Sequence, residues 1–534
     1  MKKFIKFIYA IAAIAILSSC SENFIDIPAK GKLSIEAFVP EQAVSGCYAV
    51  FYGNDKAWGI WGVVTADIMG NVVSDDAWKG GANSSDGAAL GEMELFQAKP
   101  NNGDINNVWG NYYRYIYYFN TALQGLENSS GLSNETRNRY MGEVKFLRAY
   151  TYMRLIMAFG NKSADLGVIL IDKSIKQDEI GKLPRSKYQA SWDLVISDFK
   201  FAEENLPLKS KYSLNNLGKA TKGAAQALLS RVYMLTGDWT DCELYAKKVI
   251  DSGEYQLEPQ FSNVITNKNE NGKESIFELA YSFDGYGGWD YSHSGFWVSA
   301  QQPRGPWGGW GLAGLTTDLL NEFKQNPGDP RIVWTFLFQG DEDISAGKVT
   351  AMDFTTWLCP DKMHNRKVWN PIALISPDGF IDFNRRVIRY ADVILMYAEA
   401  ANENGKSSEA VAALNQIRKR ARESGYVDPY RNIKGYDFPT AMNVEDRVPD
   451  VTASTKGNIR NAIWHERRVE FAGEDFRFYD IVRQGRAGSL LRAFATKYNT
   501  GKGAGFIDGV NECFPIPSSD ISASGGTLVQ NPGY

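Results

Sequence analysis

Apolar positions recur at helical spacing in several separated parts of this chain, and the spacing is lost between them. The clearest run is 383–422. There Val387, Ala391, Ile394, Ala398 and Ala401 fall at intervals of four and three, the repeat of one helical face. Three of the five are Ala, so a neighbouring helix can approach closely. Gly405 follows the last periodic residue, where a helix end needs a left-handed conformation. Ser407 or Ser408 is placed to cap a second helix, whose face is Ala410, Leu414, Ile417 and Ala421. A helical hairpin with alanine on its inner faces is the unit of a tetratricopeptide-like stack.

A second hairpin is predicted over Lys219–Tyr255. Ala225, Leu228, Leu229 and Val232 line its first helix, Gly237-Asp238 makes the turn, and Cys242, Tyr245, Ala246 and Val249 line the return. Its length matches a repeat of about 34 residues. Further helices are predicted at Glu36–Tyr52, Asn106–Glu127, Asn134–Phe159, Ser186–Asn205, Ile459–Phe471 and Phe476–Val482. In the third of these, Phe146, Ala149, Tyr150 and Met153 share a face. A helix pair of this kind cannot bury its apolar face alone, so the pairs must stack. Two stretches lack the period: Gly53–Gly91 and Gln256–Asp382. The pattern predicts a mainly α-helical protein with an irregular, loop-rich region carried on stacked helix pairs. The division is an N-terminal half, 36–255, and a C-terminal half, 256–534. The latter is loop-rich over 256–382 and helical over 383–534, and the two halves form one compact body.

The first residues have a different logic. Lys2, Lys3 and Lys6 precede an apolar run, Phe7–Leu17, too short to span a bilayer comfortably. It ends in Leu17-Ser18-Ser19-Cys20. Small residues before a Cys resemble the lipobox of bacterial lipoproteins, in which the Cys becomes the acylated first residue. Residues 1–19 then form a signal peptide, Cys20 is the lipidation site, and 20–35 is a tether. No later segment offers 18 uncharged apolar residues, and no series of alternating strands suggests a barrel.

Charge and composition narrow the function. Lys and Arg number 58 against 62 Asp and Glu, a balance that disfavours non-specific nucleic-acid binding. The three histidines, His293, His364 and His465, are isolated in sequence, so a His-rich metal site is not expected. The acidic run Asp341-Glu342-Asp343 lacks the spacing of a calcium loop and reads as a solvated loop. Cys47, Cys242, Cys359 and Cys513 are scattered, and their spacing does not say whether any pair. The charged constellation Glu466, Arg467, Arg468, Glu470, Arg477, Asp480 and Arg483 reads as an ion-pair lattice between helices. No GxSxG, Walker, HExxH or Rossmann motif occurs, and no cofactor or metal is implied.

Aromatic residues make up 13% of the chain, with 14 Trp, and they concentrate in one place. Asp284–Gly311 reads DGYGGWDYSHSGFWVSAQQPRGPWGGWG. So much Gly disfavours regular helix, and so many rings disfavour disorder. An aromatic ring offers a flat apolar face, and a pyranose offers a patch of C–H ringed by hydroxyls. Tyr286, Trp289, Trp307 and Trp310, with Arg304 between them, form a candidate platform for a glycan. Trp78 and Asp75, in a second Gly-rich stretch, form a candidate second wall. The two stretches are expected to meet in space.

Three segments carry a family resemblance. RRVIRYADVILMYAEAANENG from Arg385, HERRVEFAGEDFRFYDIVRQG at His465–Gly485, and CFPIPSSDI followed by QNPGY at the C-terminus resemble the SusD/RagB family of outer-membrane lipoproteins. EVKFLRAYTYMRLIMAFG in the first half is similar to the same family. The resemblance implies a mainly α, SusD-like fold on a triacylated, surface-exposed lipoprotein. Such a protein touches the membrane through its lipid anchor only. It captures oligosaccharide and serves as a lid on a SusC-like, TonB-dependent outer-membrane barrel, with no catalysis. It does not supply the ligand residues, which rest on the aromatic pattern alone. Two other readings compete: capture of peptide, as in RagB-like relatives, and a surface glycosidase with two inward carboxylates.

Overall fold

The computed structural model describes residues 38–52, 58–175, 179, 182–281, 295–375, 382–439 and 441–534. The signal peptide, Cys20 and the tether lie outside these residues. The first half is α1 (Pro40–Ala49), α2 (Trp58–Val72), strand β1 (Ala77–Gly80), α3 (Ala88–Glu94), α4 (Gly103–Asn128), α5 (Asn134–Phe159), α6 (Tyr188–Asn205), α7 (Lys222–Thr236) and α8 (Trp239–Asp251). Short elements follow: β2 (Ser275–Leu279), α9 (Phe296–Gln301), β3 (Leu312–Leu315), α10 (Thr317–Phe323), α11 (Arg331–Thr335), β4 (Phe336–Phe338), β5 (Glu342–Asp343), β6 (Thr350–Ala351), β7 (Met363–Asn365) and β8 (Arg385–Arg389). The last part is α12 (Tyr390–Glu403), α13 (Ser407–Glu423), β9 (Arg431–Asn432), α14 (Val444–Arg447), α15 (Lys456–Glu470), α16 (Arg477–Arg483), α17 (Ala487–Lys497) and α18 (Ser518–Ala523).

Four of the long helices start at side-chain caps. Asn102 accepts from the Asp104 and Ile105 amides at the start of α4, and Ser133 from Thr136 at the start of α5. Thr221 and Asp238 do the same for α7 and α8, and Gly237 between them stands at φ +86°. Helices α5, α6, α7, α8, α12 and α13 pack in succession, the stacking expected of repeats that cannot bury one face alone. On α12 and α13, Ala391, Ile394, Ala398, Ala401, Ala410, Leu414 and Ile417 are buried together with Ile459 and Ile463 of α15.

Four local readings are corrected. Val387 lies on strand β8, which pairs antiparallel with β2, so the first helix of the hairpin begins only at Tyr390. Neither Ser407 nor Ser408 caps α13: it starts from Lys406 with no side-chain cap. The Gly53–Gly91 stretch contains a full helix, α2. Its sequence is apolar all round rather than on one face, so it has no helical period to read. It packs tightly: a Cβ on Gly62 would stand 2.7 Å from the Asn107 carbonyl oxygen, and one on Gly70 2.7 Å from that of Asp475. The acidic run 341–343 is not a solvated loop. Asp341 and Asp343 are buried. Asp341 accepts from Arg431 and from the Phe338 and Lys434 amides, and Asp343 from Trp307 and the Ile372 amide. Cys47, Cys242, Cys359 and Cys513 are all buried free thiols.

Candidate ligand-binding site

The two Gly-rich stretches meet through the backbone. Strand β1 pairs antiparallel with β3, placing Trp78 opposite Gly314 and Gly80 opposite Leu312. The ladder continues outward as the Gly81 amide donates to the Gly311 carbonyl at 2.9 Å. A side chain at Gly80 would stand 2.1 Å from that same carbonyl, so the approach requires glycine. Across this junction Arg304 reaches Asp86 at 3.2 Å and donates to the Trp310 carbonyl at 2.9 Å. Trp357 joins the group, because the Cβ position of Gly311 lies 3.1 Å from Arg304 and 3.3 Å from the Trp357 indole nitrogen.

The candidate residues take different places at this junction. Arg304 and Trp310 are half-buried at its rim. Trp78 is also half-buried, but its ring packs on Phe494 at 5.5 Å, its indole N–H donates to Asp361 at 2.7 Å, and the Lys502 ammonium lies 5.8 Å from it. Trp78 therefore faces α17 and the C-terminal segment. Trp307 is 2% exposed, donates to Asp343 at 2.9 Å, and packs with Leu337, Met352, Phe354 and Trp369. It is a core residue of the loop region, not a platform. Tyr286 and Trp289 lie outside the described residues.

Asp75 is corrected more firmly. It is 2% exposed, and Arg477 grips both its oxygens at 2.7 and 2.8 Å. Burial alone would raise its pKa; the Arg468 and Arg477 guanidiniums outweigh it and hold the carboxyl well below the usual range. Its neighbour Asp76, which Arg468 contacts at 2.8 Å, is pushed up to about 6 by burial and by the charge of Asp75. The pair ties the first half to the buried ion-pair lattice of the second, which includes Arg331–Glu466 at 2.6 Å, Arg389–Glu470 at 2.5 Å and Arg483–Glu399 at 2.8 Å. These carboxylates are locked by guanidiniums, so they serve packing and not acid–base chemistry. Among the described residues no cluster of His, Cys, Asp and Glu is arranged to hold a metal.

A cleft bordered by α9 was not legible from the aromatic pattern. Its walls include Trp297, Val368 and Phe383, with Asp67, Gln301 and Asn384 among its polar groups. The Trp297 and Phe383 rings stand 6.0 Å apart, edge to face. Its free volume is about 50 Å3, space for roughly three to five water-sized groups. Two of its acceptors, Asp67 Oδ2 and Gln301 Oε1, have no hydrogen-bond partner among the described residues, although the residues are 7% and 2% exposed. Asp67 Oδ1 is held by Arg385 at 2.9 Å, and burial raises the pKa of its carboxyl against the pull of Arg385 and Arg154. Trp297 lies within the Asp284–Gly311 stretch, so its composition was a signal. Asp67 and Phe383 are brought from α2 and the start of β8 by tertiary packing.

The comparisons agree with this architecture. A sequence model of the SusD family matches residues 273–534, and one described as starch-binding, associating with the outer membrane, matches 49–234. The chain is 25% identical to SusD-like protein P2 of Formosa agariphila over the whole of both chains. It is 24% identical to the starch-binding protein SusD of Bacteroides thetaiotaomicron, over 77% of this chain and 75% of that one. Among solved structures, a laminarin-binding SusD-like protein superposes with a TM-score of 0.71 at 25% identity, over 93% of this chain and 99% of the other. A SusD homologue from Bacteroides thetaiotaomicron superposes at 0.74 with 20% identity, over 94% and 97%. With both halves matched in order and the helical stack reproduced, the chain belongs to the SusD/RagB family.

Proposed function

We propose that this protein captures oligosaccharide at the outer membrane and passes it to a SusC-like, TonB-dependent barrel, held there by a lipid on Cys20. It binds and does not catalyse, as SusD-like proteins do. The observation that carries the reading is the cleft beside α9. A pyranose offers a C–H face to the Trp297 and Phe383 rings and rim hydroxyls as donors to the oxygens of Asp67 and Gln301 that lack a partner among the described residues. A buried acceptor left unpaired costs about 1–3 kcal/mol, so a hydroxyl that satisfies it is favoured. Arg304 and Trp310, on the turn that follows α9, extend the surface for further sugar units. Two relatives are named for glucans, starch and laminarin, which makes α- and β-glucans the first ligands to try. Calorimetry with laminarin, starch and unrelated peptides tests this. Micromolar-to-millimolar binding of a glucan with intact chains recovered afterwards supports the reading; binding of peptide alone, or shortened glucan products, overturns it.

A further inference from the structure

The ion-pair lattice encloses a cavity of about 30 Å3 between the two halves. That is room for about two water-sized groups. Its lining includes Arg231 of α7, Arg467 of α15 and Tyr479 of α16, which are 5%, 1% and 6% exposed. Each has a polar atom with no partner among the described residues: Arg231 Nε, Arg467 Nη2 and the Tyr479 hydroxyl. The two guanidiniums are neighbours because both grip Asp392, Arg231 on Oδ2 at 2.5 Å and Arg467 on Oδ1 at 2.7 Å. Arg231 also donates to the Val387 carbonyl, and Arg467 to Asp480. These bonds fix the planes of both groups and leave one nitrogen on each, Arg231 Nε and Arg467 Nη2, without a partner among the described residues.

The unmet groups are therefore two obligate donors and a hydroxyl that can donate. The three carboxylates on the wall are already engaged. Glu474 takes Lys367 and Arg389, Asp475 takes Arg154 and the Asn71 amide, and Asp480 takes Arg467 and Arg483. The wall carries five arginines, each already ion-paired: Arg154 with Asp475, Arg231 and Arg467 with Asp392, Arg385 with Asp67 and Arg386 with Glu278. Every carboxylate oxygen on the wall already accepts a hydrogen bond, whereas the three unmet groups still lack one. All three unmet groups can donate, which is the chemistry an anion takes. Arg467 also borders a second cavity, but at about 10 Å3 that one is too small for an ion.

We propose that this cavity is a binding site for a small monovalent anion of halide size, held by Arg231 Nε, Arg467 Nη2 and the Tyr479 hydroxyl. The ion completes the contact of α7 with α15 and α16. The proposal is independent of the glycan reading, because none of the three residues lines the cleft beside α9.

Crystals grown in sodium bromide give the direct test. An anomalous peak within hydrogen-bond distance of the three donors is expected; density for water alone, without anomalous signal, overturns the proposal. The solution test compares melting in sodium chloride or bromide with sodium gluconate at equal ionic strength, gluconate being too large to enter. A ligand that binds only the folded state raises Tm with its concentration. The expected result is a saturable rise in halide of about 2–4 °C, reduced at least by half in Tyr479→Phe, which keeps the buried ring and removes one donor. Equal melting in halide and gluconate, or an undiminished rise in the variant, overturns the site.

Discussion

Arg477 clasps Asp75 with two parallel hydrogen bonds, Nε to Oδ1 at 2.7 Å and Nη2 to Oδ2 at 2.8 Å, across 402 positions of sequence. The pair ties the turn after α2 to helix α16 and so joins the first half of the chain to the second. Both residues are buried. Removing one partner leaves an uncompensated charge, at a cost of about 3–5 kcal/mol. Arg477→Ala and Asp75→Ala should each lower the denaturant midpoint by that order. A glucan-affinity loss with unchanged stability would instead return Asp75 to the binding site.

The rings at the cleft and in the loop core separate by their readouts. Losing an aromatic platform costs about 1–3 kcal/mol in the related case of base stacking. Trp297→Ala should therefore weaken glucan binding roughly 5- to 150-fold with little change in Tm. Trp307→Ala empties a core position and should cost about 3–5 kcal/mol of stability. Titration calorimetry and thermal melting on both variants check the pair; the reverse pattern would mean that the site lies at Trp307.

Ala398 is fully buried between α12 and its neighbours. Ala398→Leu adds methylenes where helices already touch and should destabilise by about 1–3 kcal/mol. An unaltered urea midpoint would show that the contact yields.

Acid should weaken the protein through Asp392. Burial alone would raise its pKa, but Arg231 and Arg467 hold it at about 2 against the usual 3.8. The folded value lies below the unfolded one. The stabilisation is therefore present above about pH 4 and is lost as pH falls through about 2, an effect of order 2 kcal/mol. Asp392→Asn should be less stable at pH 7 and should show a shallower loss over that window, measured by urea unfolding at a series of pH values.

Cys20→Ala should release the protein from the outer-membrane fraction in cells lacking the barrel partner. Retention there would exclude lipid as the anchor.

The sequence by itself determined most of the long helices and that they must stack. A helical face is local: residues three and four apart share it whatever lies elsewhere, so Ala391, Ile394 and Ala398 announced their burial. The charged motif after His465 was legible as framework for the same reason, since acids and bases alternate at helical spacing. Tertiary structure decided what each polar or aromatic side chain is for. Asp75 and Trp78 stand in the same turn-rich stretch, yet one is sealed under Arg477 and the other packs on Phe494. Trp307 and Trp310 are three residues apart, yet only Trp307 is enclosed in the loop core. The cleft beside α9 takes Asp67 from α2, Trp297 and Gln301 from α9, and Phe383 from the start of β8. Composition marks a ring as a candidate for binding, but whether its face meets solvent or another ring depends on contacts between segments hundreds of residues apart. Local pattern carries no information about those contacts.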